Sequence, residues 1–283
     1  MEYNRIRIDL FDYGLKKDSS WFLEPLSDIH FGHRNFNLEK FQKAVKRVTE
    51  QKNRSTFFNG DMIDNIPHRD KRFNWDTIDP EAAQDVQQVE LFEKYTQELL
   101  DLNHELGGDQ KVHGVLPGNH EFVYESVAQF KYFFCRKYPK GMGLKFLGDA
   151  AYIWIDFYYK NKFLHNFVIL TTHGSYRGSQ SGGELNQLKR FPARYYADVY
   201  FVGHSHDIKS GSSVIIEPHA GPGRSLKLRK REIIYANLGT FLETHQFGVT
   251  NYIEKKLLYA QATKTGTVTI EFNPESRTMN FHE

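Results

Sequence analysis

Five short polar clusters recur along the chain: Asp28-x-His30, Gly60-Asp61-x-x-Asp64, Gly118-Asn119-His120-Glu121, His173-Gly174 and Gly203-His204-Ser205-His206. Their side chains are carboxylate, carboxamide and imidazole, with no thiolate. A mixed oxygen and nitrogen set of this kind suits divalent ions such as Mn²⁺, Fe²⁺, Co²⁺ or Zn²⁺. Taken singly, each cluster has a plain structural reading. Asp-x-His fits a surface turn, and Gly-Asp-x-x-Asp a loop with a helix cap. Gly-Asn-His-Glu fits a turn before a helix, with Glu121 favourable in the first turn. Gly-His-x-His fits a strand end whose imidazoles face solvent. Five such clusters, each closing a predicted strand, are hard to explain one at a time. Bringing these groups together is costly unless something binds them, and a pair of divalent cations would do so.

The elements that must position them follow from the hydrophobic pattern. Arg5 to Leu10 alternates and predicts a half-buried strand, while Phe22 to Leu26 predicts a short apolar strand ending at Ser27-Asp28. Leu38, Phe41, Val45 and Val48 have helical spacing. Thr56-Phe57-Phe58 reads as a strand leading to Asp61. Asp79-Pro80-Glu81 reads as cap, first helical proline and first-turn acid of a helix carrying Val89, Phe92, Tyr95, Leu99, Leu102 and Leu106, stopped by Gly107-Gly108. Residues 112–116 predict a strand before Gly118, and a helix is expected over 122–138. Strands follow at 151–159, 163–171 and 197–202, with a shorter helix around 184–189. Hairpins are expected after Val214-Ile215-Ile216, with a last strand over 267–272. Open α/β sheets place ligands beyond the carboxyl ends of their strands, where loops converge. Glycine beside four clusters permits tight turns and close backbone approach.

The chain of 283 residues is long for one core but within the range of layered α/β domains, and a single domain over 1–283 is expected. No repeat or linker interrupts it. The net charge of +2 supplies no strong field toward nucleic acid or membrane, so any basic surface must be local. The single cysteine, Cys135, excludes an internal disulfide framework and a cysteine-based zinc site, and reads as a buried thiol on a helix. The first residues lack the apolar core of a signal peptide, and no apolar run reaches the roughly 20 residues of a membrane helix. A soluble, cytoplasmic protein without a membrane partner is expected.

Together, Asp28/His30, Asp61/Asp64, Asn119/His120, His173 and His204/His206 resemble the full signature of calcineurin-like metallophosphoesterases. The match runs from about residue 22 to 207. The resemblance implies an α/β fold, a four-layer α-β-β-α sandwich of two mixed sheets flanked by helices, with a two-metal centre between the sheets. It implies that Asp28, His30, Asp61 and His206 hold one ion. Asp61, Asn119, His173 and His204 would hold the other, with Asp61 bridging. His120 would donate a proton to the leaving oxygen, oriented by Asp64. Mn²⁺ is the first expectation for both ions, with Fe²⁺, Zn²⁺, Co²⁺ or Ni²⁺ as alternatives. The chemistry is coherent: paired cations can share a hydroxide that attacks phosphorus in line, and a histidine can protonate the leaving alkoxide near neutral pH. No covalent intermediate is expected.

Substrate choice is less legible. A phosphomonoester or phosphodiester is expected, with a nucleotide or nucleic acid among the candidates. The basic stretch 65–72 and the glycine-rich loop after His173, with Arg177, could each clamp a phosphate or remain solvated loops; His33 could reach substrate or lie at the surface. The basic run Arg224 to Arg231 fits a hairpin strand with a charged outer face of the kind that protects edges, with a nucleic-acid surface as the other reading. Asn65-Ile66 after the second aspartate departs from the Arg-Gly usual in the superfamily's Ser/Thr protein phosphatases. The glycine-rich loop and Asn237-Leu238-Gly239-Thr240-Phe241 are similar to small phage- and prophage-type members. A nuclease like the superfamily's repair exonucleases is one alternative to a general phosphoesterase; a binding scaffold that lost its chemistry is another.

Overall fold

Two mixed β-sheets lie face to face in the computed structural model, which describes every residue except 1, 71–72, 122–126, 175–185, 187, 221–225 and 244–263. The strands are β1 (Glu2–Asp9), β2 (Trp21–Leu23), β3 (Arg54–Asn59), β4 (Val112–Leu116), β5 (Ala150–Tyr159), β6 (Lys162–Thr172), β7 (Val199–Val202), β8 (Ile208–Ala220), β9 (Leu226–Leu238), β10 (Thr269–Asn273) and β11 (Thr278–His282). One sheet has the order β1-β5-β6-β7-β9-β8 and the other β11-β10-β2-β3-β4. β2, β3 and β4 run parallel, as do β6 and β7, so each set delivers its carboxyl ends to one side. Those are the ends that carry the polar clusters.

Between the sheets lies an apolar layer built from alternate residues of both, including Ile6, Ile8, Phe57, Leu116, Ile153, Ile155, Phe157, Ile169, Phe201 and Phe272. β1 shows the period of two directly, with Asn4, Ile6 and Ile8 buried and Arg5 and Arg7 exposed. A buried polar chain crosses this region. Trp21 Nε1 donates to Ser55 Oγ at 2.8 Å, Ser55 Oγ meets His113 Nε2 at 2.8 Å, and His113 Nδ1 meets the Asp109 carbonyl at 2.8 Å. Burial pushes His113 down to about 4, so its ring is neutral at pH 7, with the proton on Nδ1.

Helices α1 (Leu38–Glu50), α2 (Asp85–Glu105) and α3 (Val127–Phe134) cover the outer face of the second sheet through Phe41, Val45, Phe92, Leu99, Phe130 and Phe134. The first sheet's outer face carries a smaller cluster, with Leu188, Ala197 and the partly buried Phe191 against Leu170, Tyr200 and Tyr235.

Several expectations need adjustment. The Asp79-Pro80-Glu81 cap opens a separate 3-10 turn, Pro80–Ala82, in which Asp79 accepts from the Glu81 N–H. Helix α2 begins only at Asp85, where Gln87 closes back on the Gln84 N–H at 3.1 Å. α3 stops at Phe134, leaving Cys135 just beyond it, and the helix expected around 184–189 falls partly outside the described residues. The basic run does lie on a hairpin with an open side: residues 226–233 of β9 pair only with β8, and β7 meets β9 only at 234–237. Of its described arginines, Arg229 and Arg231 both pair with Glu217 on β8, and Arg231 also with Asp198. β11 was not expected.

Candidate metal centre

The polar clusters meet where the strand ends of the two sheets converge. Asp28, His30, Asp61 and His206 each offer one atom to a group in which all such atoms lie within 4.8 Å of one another. Asp61, His173 and His204 form a second group on the same criterion, so Asp61 belongs to both. His206 Nε2 lies 3.1 Å from Asp28 Oδ1 and 3.1 Å from His30 Nε2, which is 3.8 Å from Asp61 Oδ2. On the other side His173 Nε2 lies 3.1 Å from Asp61 Oδ2. Asn119 Oδ1 faces both His204 Nδ1 at 2.5 Å and His173 Nε2 at 3.3 Å.

Backbone strain is concentrated here. Among the described residues nine that are not glycine have positive φ, and Asp28, His30, Asp61, His204 and His206 are five of them. An L-residue in this region costs roughly 1–2 kcal/mol, and such strain persists where the surroundings enforce it. The surroundings are visible. Asp28 is pinned at its side chain by Ser27 Oγ at 2.5 Å and by the His204 N–H at 3.0 Å. Its carbonyl accepts from Thr240 Oγ1 at 2.8 Å and from the Phe241 N–H at 3.1 Å. A Cβ on Gly118 would sit 2.1 Å from Asp61 Oδ1, so only glycine lets the β4 loop approach that carboxylate. His173 directs Nε2 into the site because its Nδ1 is engaged by the Asn59 carbonyl at 2.7 Å.

The buried carboxylates and imidazoles of the site set one another's charge. Burial alone would raise Asp61, but His173, His120 and His30 outweigh it and hold the carboxylate well below its ordinary range. Burial would lower His173, yet Asp61 and Asp28 raise it to about 10, making its proton the present counter-charge. Burial and the charge of Asp61 push Glu121 up to about 7. Buried carboxylates facing imidazole nitrogens, two of which point at each other across 3.1 Å, fit divalent cations of borderline hardness.

His120 stands beside these groups, and its ring nitrogen comes within 4.8 Å of atoms offered by His30 and Asp64. Its backbone N–H donates to Asp61 Oδ1 at 2.9 Å, and its ring packs edge-on against His30 with centroids 4.6 Å apart. Burial lowers it, but Asp61 and Asp64 more than compensate, and it sits above the ordinary histidine value. The expected Asp64 contact differs in kind. His120 Nδ1 is held by the Asp64 main-chain carbonyl, while the carboxylate is 3.8 Å from that nitrogen and closer, at 3.4 Å, to His30 Nδ1. His33 lies nearby, half-buried, with its Nδ1 accepting from the Asn35 N–H at 3.0 Å. Arg177 lies outside the described residues.

Two contributors escaped the sequence reading. Glu121 accepts from the backbone N–H groups of Asp61, Ile63 and Gly118, a role that its place in Gly-Asn-His-Glu could have signalled. Thr240 lies in the noted 237–241 segment, where nothing in the sequence marks Asp28 as its partner.

A family model described as calcineurin-like phosphoesterase matches residues 26–207, well over half the chain and all five clusters. No curated protein matches by sequence. Among solved structures, the chain is similar to a metallophosphoesterase from Sphaerobacter thermophilus, at 12% identity over 92% of this chain and 87% of that one, with a TM-score of 0.38. It is similar to Vps29 from Chaetomium thermophilum at 9% identity over 93% of each chain, also with a TM-score of 0.38.

Proposed function

Since the chain belongs to the calcineurin-like phosphoesterase family, we propose that it is a metal-dependent phosphoric ester hydrolase. The observation that carries this reading is Asp61, one buried carboxylate shared by two converging donor groups with His120 beside it. Asp28, His30, Asp61 and His206 would hold one divalent cation, and Asp61, Asn119, His173 and His204 a second. Mn²⁺ is the first choice for this donor chemistry. Bound there, such ions supply Lewis-acid activation of water and neutralise charge on a phosphoryl group.

The protein's own residues supply the rest. Asp61 fixes the spacing of the two groups, and the Asn59 and Asp28 contacts hold the imidazoles and carboxylates in place. His120, with Nδ1 tied to the Asp64 carbonyl, keeps Nε2 for the leaving oxygen. Its elevated proton affinity suits a donor at neutral pH. Asp64 acts on that ring through its main chain, and its carboxylate steadies His30.

We place this activity in the cytoplasm. Cys135 is a free thiol, the state that cysteine keeps in a reducing compartment. The test is metal analysis of the purified chain, with turnover of bis(p-nitrophenyl) phosphate and p-nitrophenyl phosphate in Mn²⁺. Stoichiometric metal and release of p-nitrophenol support the reading. Metal without turnover of either ester leaves a scaffold.

A further inference from the structure

The segment from Asn65 to Ile78 carries three aromatic rings that the fold does not use. His68 and Phe73 have centroids 4.2 Å apart, His68 and Trp75 4.9 Å, and Phe73 and Trp75 5.1 Å. None of the three belongs to an apolar core cluster, and Trp75 is 62% exposed. A self-supporting ring cluster facing water is a surface kept for something planar to bind.

The segment is anchored at both ends to the metal centre. At its start, Asn65 Nδ2 donates to the carbonyl of His120 at 3.1 Å, and the Asn65 N–H to Gln88 Oε1 at 2.9 Å. At its end, the Arg34 N–H donates to the Thr77 carbonyl at 2.8 Å, the Asp79 N–H to the Gly32 carbonyl at 2.9 Å, and Ile78 bridges His33. Between these anchors, Asn74 Oδ1 caps the 3-10 turn Trp75–Thr77 through the Asp76 N–H. The exposed Arg34 reaches this turn at the Asp76 carbonyl, one residue along the chain from Trp75. Flat aromatic faces, a cation and a phosphoryl-transfer centre at the loop's roots are the elements of a nucleotide site: bases stack on rings whatever their identity, and phosphates take the charge.

We propose that His68, Phe73 and Trp75 form a stacking platform for a nucleobase, so that the phosphate ester presented to the metal centre belongs to a nucleotide or a single-stranded polynucleotide. The catalytic half of this statement rests on the phosphoesterase reading; the stacking half does not.

The experiment compares binding of a fluorescein-labelled dT20 and an abasic oligomer of equal phosphate count to the full chain by anisotropy, with probe integrity checked on a gel. The expected result is that dT20 binds about tenfold or more tightly than the abasic strand. Trp75→Ala and His68→Ala should remove that preference, and Trp75→Phe should restore most of it. Competition by TMP separates the two sources: displacement at comparable concentration indicates a mononucleotide substrate, and failure to displace indicates a polynucleotide. Equal binding of dT20 and the abasic strand, or a preference that survives Trp75→Ala, overturns the proposal and leaves the rings to a protein partner. Base-dependent binding without ester turnover would remove the catalytic reading and keep the platform. Turnover without base preference would do the reverse.

Discussion

The Glu121 carboxylate receives the backbone N–H of Asp61 at 2.9 Å, and the same oxygen receives that of Gly118 at 2.7 Å. Its other oxygen takes the Ile63 N–H at 3.1 Å. One buried side chain therefore ties the loop after β3 to the loop after β4, and with them the shared carboxylate to Asn119 and His120. Burial and the charge of Asp61 push Glu121 up to about 7, against the opposing pull of the Gly118 and Ile63 N–H groups. Replacing it by alanine leaves three buried N–H groups unpaired and frees the two loops.

Glu121→Ala should weaken Mn²⁺ binding by about 10- to 100-fold, the range seen when an outer partner of a metal ligand is lost. Isothermal titration with Mn²⁺ reads this directly. Unchanged affinity would mean that the loops hold their places without Glu121.

Asp61 and Asp28 distinguish the two proposed ion positions. Asp61 belongs to both donor groups and Asp28 to one. Asp61→Ala is expected to purify with neither ion, and Asp28→Ala to keep up to one per chain. Elemental analysis after dialysis distinguishes these stoichiometries. Retention of two ions by Asp61→Ala would show that it does not bridge.

Binding should also release protons. His173 is raised to about 10 by Asp61 and Asp28, so at neutral pH it carries a proton that a cation must displace. Mn²⁺ titrations in buffers of different ionisation enthalpy should show net proton release and affinity that falls as pH drops. A titration indifferent to buffer would mean that His173 is neutral before binding.

Much of this architecture was readable from the chain because its signals are local. β4 coincides with the apolar stretch 112–116, and α1 follows from the spacing of Phe41, Val45 and Val48. The five clusters were legible because each closes a strand with unusual chemistry. What stayed hidden depends on tertiary contact. Thr240 reaches the Asp28 carbonyl from more than 200 positions away, and no residue beside it signals that partner. The resemblance assigns Asp64 to His120 through its side chain, but the fold uses its carbonyl, a group that every residue carries. The break between the Pro80 turn and α2 depends on Gln87 capping from within the helix, which competes with the more conspicuous Asp79-Pro80 signal.

His120→Ala should leave both ions bound and lower kcat by about 10²–10⁴-fold, the usual contribution of one positioned acid. The loss should grow as the leaving group becomes more basic, because p-nitrophenolate needs little help and an alkoxide needs a proton. A leaving-group series on wild type and variant reads the difference in slope. Equal slopes would assign His120 to structure instead.

His113 makes acid sensitivity a property of the fold as well as of the site. Folded, it titrates at about 4, because burial disfavours its charged form; unfolded, it titrates near the ordinary histidine value of about 6.5. Between those values the unfolded chain binds a proton that the folded one refuses, so stability falls as pH drops through that window. The full effect is on the order of 3 kcal/mol, complete near pH 4. His113→Gln keeps a neutral partner within reach of Ser55 and cannot titrate. Urea unfolding in EDTA, at pH 7 and again near pH 4.5, should show a smaller loss for the variant, although it starts less stable at pH 7. His30, also lowered to about 4, contributes with the same sign in both proteins and cancels in the difference. Equal losses would mean that His113 is protonated within the native core.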